Sequence, residues 1–318
     1  MRRNKILIHD DDRSVQRHAR QILSATNSEC ITPLDRSALK EFLETDTADL
    51  HIFNVNSHKF ITEQTDIKIQ NPTVLISTEP FQGVYDYLSQ VETLTNFVVK
   101  GKDGKLKGRD LLSTAAKILY NDIFGINKYL GWGAYSEIYH VRSSNDRQQY
   151  IDSVLDYCKN LGLRKSFLNS IEIYCEEQIM NALFDAPRDS KGAARHSNVP
   201  RTSVVNLTPR EAARIEIGSD GDRLAISVSD PFGAVDRNTI LHYLDKCLNR
   251  YEVSETSESG GAGLGLFMCF NSVSDFIVNL CPEVRTEFIG VFDIDMLNKD
   301  HWKGHPSFHF FHTRSKAP

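Results

Sequence analysis

Four short apolar segments alternate with amphipathic or polar ones in the first third of the chain. In chain order they are KILIH (5–9), LHIFNV (50–55), PTVLIST (72–78) and TNFVVKG (95–101). Continuous apolar runs of this length predict strands that are buried on both faces, because a half-exposed strand alternates apolar and polar residues. Amphipathic segments between such strands predict helices that cover both faces of a parallel sheet. This part of the chain is therefore predicted to be an α/β domain with a doubly wound parallel sheet.

Polar residues stand at the carboxyl ends of all four predicted strands. They are Asp10 and Asp11, Asn54, Ser77 and Thr78, and Lys100. Because ligand sites in such sheets lie beyond the carboxyl ends of the strands, these side chains are expected to meet in one pocket.

This set of residues resembles the receiver domain of bacterial response regulators, over residues 1–120. In that family an acidic pair holds Mg²⁺, an aspartate after the third strand accepts a phosphoryl group, and a hydroxyl and a lysine contact the phosphate. The resemblance implies that Asp10 and Asp11 form the acidic pair and hold the metal. It implies that Thr78 supplies the hydroxyl and Lys100 the lysine.

Asn54 stands where the family carries its phosphorylated aspartate. An amide has no anionic oxygen to attack a phosphoryl group, so the domain is predicted to be receiver-like but not phosphorylated in the usual way. One carboxylate fewer also relieves like-charge repulsion, which favours a pocket that is stable without metal. A simpler interpretation remains open, in which the acidic run Asp10–Asp12 only caps the following helix.

Length, charge and cysteine usage restrict the class of protein. A chain of 318 residues predicts two domains. A net charge of -5 disfavours direct nucleic-acid binding and anionic membrane surfaces. The sequence has no apolar run of about 18 residues and no signal-peptide pattern at its start. Its six cysteines include no C-x-x-C pair, so a reduced, cytoplasmic protein is expected.

Residues 121–144 are rich in glycine and aromatic residues without a clear period, and are predicted to be an inter-domain linker. Residues 145–318 carry three motifs in a fixed order. These are Glu177-x-x-x-Asn181 in a helical pattern, Asp230-x-x-Gly233 after a predicted strand, and Gly261, Gly263 and Gly265 ahead of an apolar helical segment. Glycines before a helix expose backbone N–H groups that bind anions. A dinucleotide fingerprint is disfavoured, because the polar run SETSES precedes the glycines where an apolar strand is required.

The order of these motifs resembles the ATP-binding (GHKL, or Bergerat-type) fold shared by gyrase, Hsp90-type chaperones, histidine kinases and anti-sigma serine kinases. The resemblance implies an α/β two-layer sandwich that binds ATP and Mg²⁺. Asn181 would reach the Mg²⁺ and the phosphates, Glu177 would act as general base, and Asp230 would bind the adenine amino group. The motif glycines Gly233, Gly261, Gly263 and Gly265 would complete the nucleotide site, the last three as part of a lid.

Two features depart from the family pattern. Phe232 occupies a position where the family usually has glycine, which suggests a narrower adenine pocket. The insertion at 188–207 carries Arg188, Lys191, Arg195 and Arg201, which are expected to be solvated or to contact phosphates.

None of the eleven histidines stands in the phosphoacceptor setting of a histidine kinase, so an orthodox sensor kinase is excluded. Two functions remain open. The first is a serine/threonine protein kinase like those of anti-sigma partner switching, in which Glu177 deprotonates a hydroxyl of a protein partner. The second is a non-catalytic switch, in which ATP orders residues 236–259 and that surface captures a regulator. The expected partner is a sigma factor, an anti-anti-sigma factor or another regulator, and a homodimer is left open.

Overall fold

The computed structural model of the chain describes residues 2–101, 103–196, 198–248, 264–294 and 305–313. These residues form two compact units. The first contains the described residues up to Ile123 together with Ser307–Phe311, and the second contains those of Phe124–Pro306 and from His312 onwards. Both are mixed α/β, which confirms the predicted fold class at that level. Among the described helices, none is long and apolar enough to cross a membrane.

Strands and helices alternate in the first unit. The elements are β1 (Lys5–His9), α1 (Arg13–Leu23), β2 (Glu29–Ile31), α2 (Arg36–Thr45), β3 (Leu50–Asn54), α3 (Val55–Gln64), β4 (Thr73–Ser77), α4 (Phe81–Gln90), β5 (Leu94–Val99) and α5 (Gly108–Tyr120). The five strands pair in parallel in the order β2-β1-β3-β4-β5, which confirms the predicted parallel sheet. The sequence analysis missed β2 because its three residues are not fully buried and form no apolar run.

Apolar side chains from the strands and from two helices fill the core of the first unit. They come from β1, β3, β4 and β5 on one side and from α1 and α5 on the other: Ile6, Ile8, Leu50, Ile52, Val74, Ile76, Val98, Val15, Ala19, Leu23, Leu111 and Ala115. Burial of these residues fixes the strands relative to one another. It thereby holds the polar residues at their carboxyl ends in place.

A strand from near the end of the chain, β11 (Ser307–His312), pairs antiparallel with β5. Phe308 lies opposite Phe97 in this pairing, and its ring centroid is 5.3 Å from that of Phe81 on α4. From the sequence, this segment was assigned to the second domain, 145–318. An apolar strand pattern predicts burial without specifying which sheet the strand joins.

The described residues of the second unit form an antiparallel sheet and four α-helices. The elements are β6 (Tyr135–Val141), α6 (Arg147–Asn160), α7 (Lys165–Met180), β7 (Ala213–Ser219), β8 (Arg223–Asp230), α8 (Arg237–Leu248), α9 (Leu264–Ser272), β9 (Asp275–Cys281) and β10 (Arg285–Asp293). The strand order is β6-β7-β8-β10-β9, and β8 is the predicted strand that ends at Asp230. Helix α7 packs on the sheet through Tyr174, which is fully buried and lies 5.9 Å from the ring of Phe292.

Much of the segment predicted as a linker, 121–144, belongs to the second unit. Strand β6 pairs with β7 over its whole length. Before it, the backbone N–H of Gly125 donates to Glu287 at 2.9 Å and that of Gly131 donates to Asp220 at 2.7 Å. Tyr135 and Ile138 are exposed although they lie in a strand, and this obscures the alternation by which a strand is recognised.

Candidate functional site

Two strand ends of the first unit are joined by a buried ion pair. Lys100, just after β5, places its Nζ 2.7 Å from Oδ2 of Asp10, just after β1. The two side chains are only 8% and 3% exposed. The other carboxylate oxygen of Asp10 accepts a hydrogen bond from the backbone N–H of Asp12 at 2.9 Å. The carboxylate of Asp10 is therefore both neutralised and hydrogen-bonded within the protein.

Asp11 has its own cation. Its carboxylate accepts hydrogen bonds from Arg36 Nη2 at 3.0 Å and from Asn54 Nδ2 at 3.1 Å. Burial alone would raise the pKa of Asp11, but the hydrogen bonds from Arg36 and Asn54 outweigh it and lower the pKa. Sequence reasoning missed Arg36, because nothing in the pattern around the first residue of α2 distinguishes it from a solvated arginine.

Asn54 uses both ends of its amide. Its nitrogen donates to Asp11, and its oxygen accepts from the backbone N–H of Ser57 at 2.7 Å, which caps α3. The capping role left open for the acidic run holds for Asp12, whose carboxylate accepts from the N–H of Ser14 in α1. Thr78 is exposed in the turn after β4.

These contacts do not fit the magnesium site that the acidic pair suggested. Asp10 and Asp11 are each paired with a side-chain cation, and the oxygen of Asn54 faces a backbone N–H. Mg²⁺ is usually bound through one or two protein carboxylates together with water and phosphate oxygens, and here both carboxylates already have a cation. In the described part of the chain, no group of three or more His, Cys, Asp or Glu residues could hold a metal ion. We name Asp10, Asp11, Asn54 and Lys100 the acidic pocket.

A cavity of about 610 Å³ opens in the second unit. It is enclosed by α7, the segment after α7, the ends of β8 and β10, and the start of α8. Its polar lining consists of Glu177, Gln178, Asn181, Asp185, Arg188, Arg201, Asp230, Asp236, Thr239, Tyr243 and Thr286. Ligand pockets in proteins typically measure roughly 300–1,000 Å³, so this cavity is of the size that holds a small molecule.

Asp230, the last residue of β8, lines the cavity. It is 6% exposed at the end of β8, and its Oδ1 accepts from the backbone N–H of Phe232 at 2.9 Å. Burial raises the pKa of Asp230 to about 6, although hydrogen bonds from Phe232, Gly233 and Thr286 oppose the shift. Gly233 adopts a φ of +59°, and a Cβ there would collide with the carbonyl oxygen of Cys281. The glycine of the motif is thus required by the backbone.

Phe232 does not narrow the cavity as its position in the motif suggested. Among the described residues that line the cavity, Phe232 is absent. Its ring instead lies 6.0 Å from the guanidinium of Arg195, in the 188–207 insertion. The turn that follows Asp230 therefore carries this side chain towards the insertion.

Glu177 and Asn181 also line the cavity. They are four residues apart, so both project from the same side of the chain where α7 ends. The next turn, Asn181–Asp185, is a wider π-helical turn, a feature that often occurs at functional sites. It adds the carboxylate of Asp185 to the cavity lining.

Arg201 from the insertion contacts all three of these side chains. Its Nη2 lies 2.6 Å from Oδ2 of Asp185 and 3.2 Å from Oδ1 of Asn181, and its Nη1 lies 3.6 Å from Oε2 of Glu177. From the sequence, Arg201 was one of several basic residues for which a solvated position was the simplest expectation. A loop has no periodicity that could reveal such a contact.

Burial raises the pKa of Glu177, and the charges around it act in both directions. Arg201 and a hydrogen bond with Asn181 lower the pKa, whereas the carboxylates of Asp185 and Glu176 raise it. The net shift is upward, because one shared guanidinium does not compensate for the loss of water around this side chain. A carboxylate with a raised pKa is a stronger base than an exposed one.

Gly265 lies against Glu177 near the start of α9. A Cβ at position 265 would collide with the carboxylate of Glu177, so any other residue there would require that side chain to shift. The predicted lid residues Gly261 and Gly263 lie outside the described residues. The last glycine of the motif is thus beside Glu177, which lines the cavity.

The lining of the cavity combines a hydrogen-bond acceptor, Asp230, with a base, an amide and a guanidinium. Such a lining can bind a polar molecule and can remove a proton near Glu177. Comparison of the sequence with protein-family models and with curated proteins finds no match. The function must therefore be inferred from the side chains of the two units.

Proposed function

We propose that the second unit binds Mg²⁺-ATP in its cavity and acts as a serine/threonine protein kinase similar to the anti-sigma kinases. The observation that supports this is that Asp230, Glu177 and Asn181 all line one cavity of the second unit. The proposed fold of this unit is the Bergerat-type sandwich, since its motifs occur in that order on α7, after β8 and before α9.

The charge of the lining favours a nucleotide that carries a divalent cation. Four carboxylates line the cavity, those of Glu177, Asp185, Asp230 and Asp236, against two arginines. A bare polyphosphate would be repelled by this excess of negative charge, whereas a magnesium complex offsets it. Mg²⁺ commonly uses one or two protein oxygens together with phosphates and water, and Asn181 Oδ1 would supply such an oxygen.

The proposed recognition of adenine depends on Asp230. Its carboxylate accepts the hydrogen bonds of Phe232 and Thr286 and would accept another from the exocyclic amino group of the base. Because the pKa of Asp230 is about 6, the carboxyl group is ionised and purely an acceptor only above that pH. Nucleotide affinity is therefore expected to fall in acidic solution.

The proposed catalytic residue is Glu177. Mg²⁺-ATP, when bound, supplies the phosphoryl group and the cation that stabilises it. Glu177 takes the proton from a seryl or threonyl hydroxyl of the partner, while that oxygen forms its bond to the phosphoryl group and ADP leaves with the bonding electrons. The raised pKa of Glu177 suits this proton transfer near neutral pH.

For the first unit we propose a receiver-like module that is not phosphorylated. The position of the acceptor carries Asn54, and the neighbouring carboxylates are paired with Lys100 and Arg36. The module would then serve for docking or dimerisation within a bacterial cytoplasmic signalling regulator. A sigma factor, an anti-anti-sigma factor or a related regulator would be the partner.

One observation favours the second candidate, a non-catalytic ATP-gated interaction protein. Arg201 lies 3.6 Å from the carboxylate of Glu177 and so opposes its action as a base. If this contact persists with nucleotide bound, ATP would order the protein for partner binding without turnover.

One measurement distinguishes the protein kinase from the ATP-gated switch. The purified protein is incubated with Mg²⁺-ATP labelled in the γ-phosphate, and released phosphate and labelled protein are followed over time. The kinase proposal predicts slow turnover that falls at least about 100-fold in Glu177→Gln, the lower range for loss of a general base. Saturable binding without turnover would support the ATP-gated switch instead, and Asn181→Ala is the binding-deficient control.

A further inference from the structure

Arg201 occupies the oxygen that the proposed magnesium ion needs. Its Nη2 is 3.2 Å from Oδ1 of Asn181. A guanidinium and a divalent cation repel each other at this separation, so they do not share one amide oxygen. Binding of Mg²⁺-ATP at Asn181 therefore requires Arg201 to move.

Arg201 is able to move, since its side chain is 48% exposed on the 188–207 insertion. Its shortest contact is the 2.6 Å ion pair between Nη2 and Oδ2 of Asp185, whose side chain is 56% exposed. Exposed ion pairs contribute little stability and exchange partners readily. A phosphate group offers two oxygens that can accept bidentate hydrogen bonds from the planar guanidinium.

We propose that Arg201 exchanges Asp185, Asn181 and Glu177 for the terminal phosphate of Mg²⁺-ATP, and so makes the cavity selective for ATP over ADP. The proposal rests on the proposed function, because it concerns the same cavity. The exchange leaves a cation beside Glu177 and Asp185, since the incoming Mg²⁺ would take the place of the arginine. The guanidinium then contacts the terminal phosphate of ATP, which ADP lacks.

The test is a calorimetric titration of the full chain with Mg²⁺-ATP and, separately, with Mg²⁺-ADP. In Arg201→Ala the ratio of ATP to ADP affinity should fall about tenfold, because the charge-assisted contact is lost only with ATP, whereas competition at Asn181 is relieved for both nucleotides. Arg201→Lys should recover part of the loss. Lys191→Ala removes the same charge from an exposed position of the same insertion and should leave both affinities unchanged.

A second variant tests whether Arg201 leaves Asp185 when ATP binds or stays paired with it. Asp185→Asn weakens the contact that holds Arg201 away from the nucleotide, so it should tighten ATP binding severalfold. In the double variant with Arg201→Ala this gain should vanish. A gain that arises only from the lost negative charge would persist there and would overturn the proposal.

The outcomes distinguish this inference from the proposed function. If the wild-type chain binds ATP but Arg201→Ala and Asp185→Asn weaken binding alike, Arg201 is a structural ion-pair partner and the exchange is refuted. Equal losses for ATP and ADP in Arg201→Ala would refute the selectivity. A wild-type chain that binds neither nucleotide would refute the proposed function and this inference with it.

Discussion

The acidic pocket of the first unit and the cavity of the second both contain carboxylates beside an amide, yet their charges are arranged differently. In the acidic pocket each acid has its own cation, Lys100 for Asp10 and Arg36 for Asp11. In the cavity a single arginine, Arg201, contacts both Glu177 and Asp185.

This difference distinguishes a pocket whose charges are already paired within the protein from a cavity that can still bind a ligand. Where every charge is matched inside the protein, a metal or phosphate must displace an existing partner on both acids. Where one cation serves two acids around a cavity of about 610 Å³, an additional cation is favourable. The following predictions test this contrast, in order of decreasing effect.

Removal of Lys100 should have the largest effect on stability. Lys100→Met leaves the carboxylate of Asp10 buried without its counter-charge, which should lower the free energy of unfolding by about 3–5 kcal/mol. Urea denaturation measures this loss. Lys105→Met is the matched control, because its pair with Asp103 is exposed and its loss should change stability little. Equal effects of the two variants would contradict a buried pair at Asp10.

Asp230→Asn should stabilise the protein and abolish nucleotide binding. The folded-state pKa of Asp230 is about 6 against an ordinary value of 3.8, so burial of the charged form costs about 3 kcal/mol above pH 6. This cost disappears as the pH falls from 6 towards 3.8, because the carboxyl group becomes protonated in the folded protein. The variant should therefore have a higher Tm at pH 7.5 and the wild-type Tm near pH 4. A variant with lower Tm at both values would contradict the raised pKa.

Asn54→Asp should convert the acidic pocket into one that needs a cation. The hydrogen bond from Asn54 Nδ2 to Asp11 is replaced by repulsion between two carboxylates, at a cost of about 1–2 kcal/mol. Added Mg²⁺ should restore the Tm of the variant and leave that of the wild type unchanged. Uptake of phosphate from acetyl phosphate by the variant alone would indicate that the rest of the pocket is competent. Magnesium-dependent stability of the wild type would contradict internal neutralisation.

Arg36→Ala should have the smallest effect. Its pair with Asp11 is 42% and 41% exposed, so the loss of stability should be less than about 1 kcal/mol. The pKa of Asp11 should rise, because Arg36 and Asn54 together hold it low, and NMR titration of the carboxyl carbon measures this change. An unchanged pKa would mean that the contact with Arg36 is absent in solution.

The sequence predicted the acids and the lysine of the first unit together because parallel strands end at one edge of a sheet. Asp10, Asn54 and Lys100 each follow an apolar run, so burial alone brings them close. Arg36 was not predicted, because the sequence of the helix that it begins gives no indication of its contact with Asp11. Ion pairs between distant segments depend on tertiary packing that no local pattern encodes.

The second unit shows the same difference between residues placed by a local pattern and contacts that depend on tertiary packing. Glu177 and Asn181 could be paired from their spacing on a helix, and Asp230 could be placed from the strand that precedes it. Arg201 lies in an insertion without periodicity, and β6 exposes Tyr135 and Ile138, so that segment resembles a linker. Positions governed by a repeating geometry were predictable, whereas loop contacts and exposed edge strands were not.

The most direct test of the nucleotide proposal is a calorimetric titration of the full chain with Mg²⁺-ATP at pH 7.5, with Asp230→Ala and Asn181→Ala alongside. We predict saturable binding of one nucleotide per chain, lost in both variants although each remains folded by circular dichroism. Both residues line the cavity, so loss of binding in both variants would locate the ligand there. Absence of binding by the wild-type protein, or binding that survives both substitutions, would contradict a nucleotide site in this cavity.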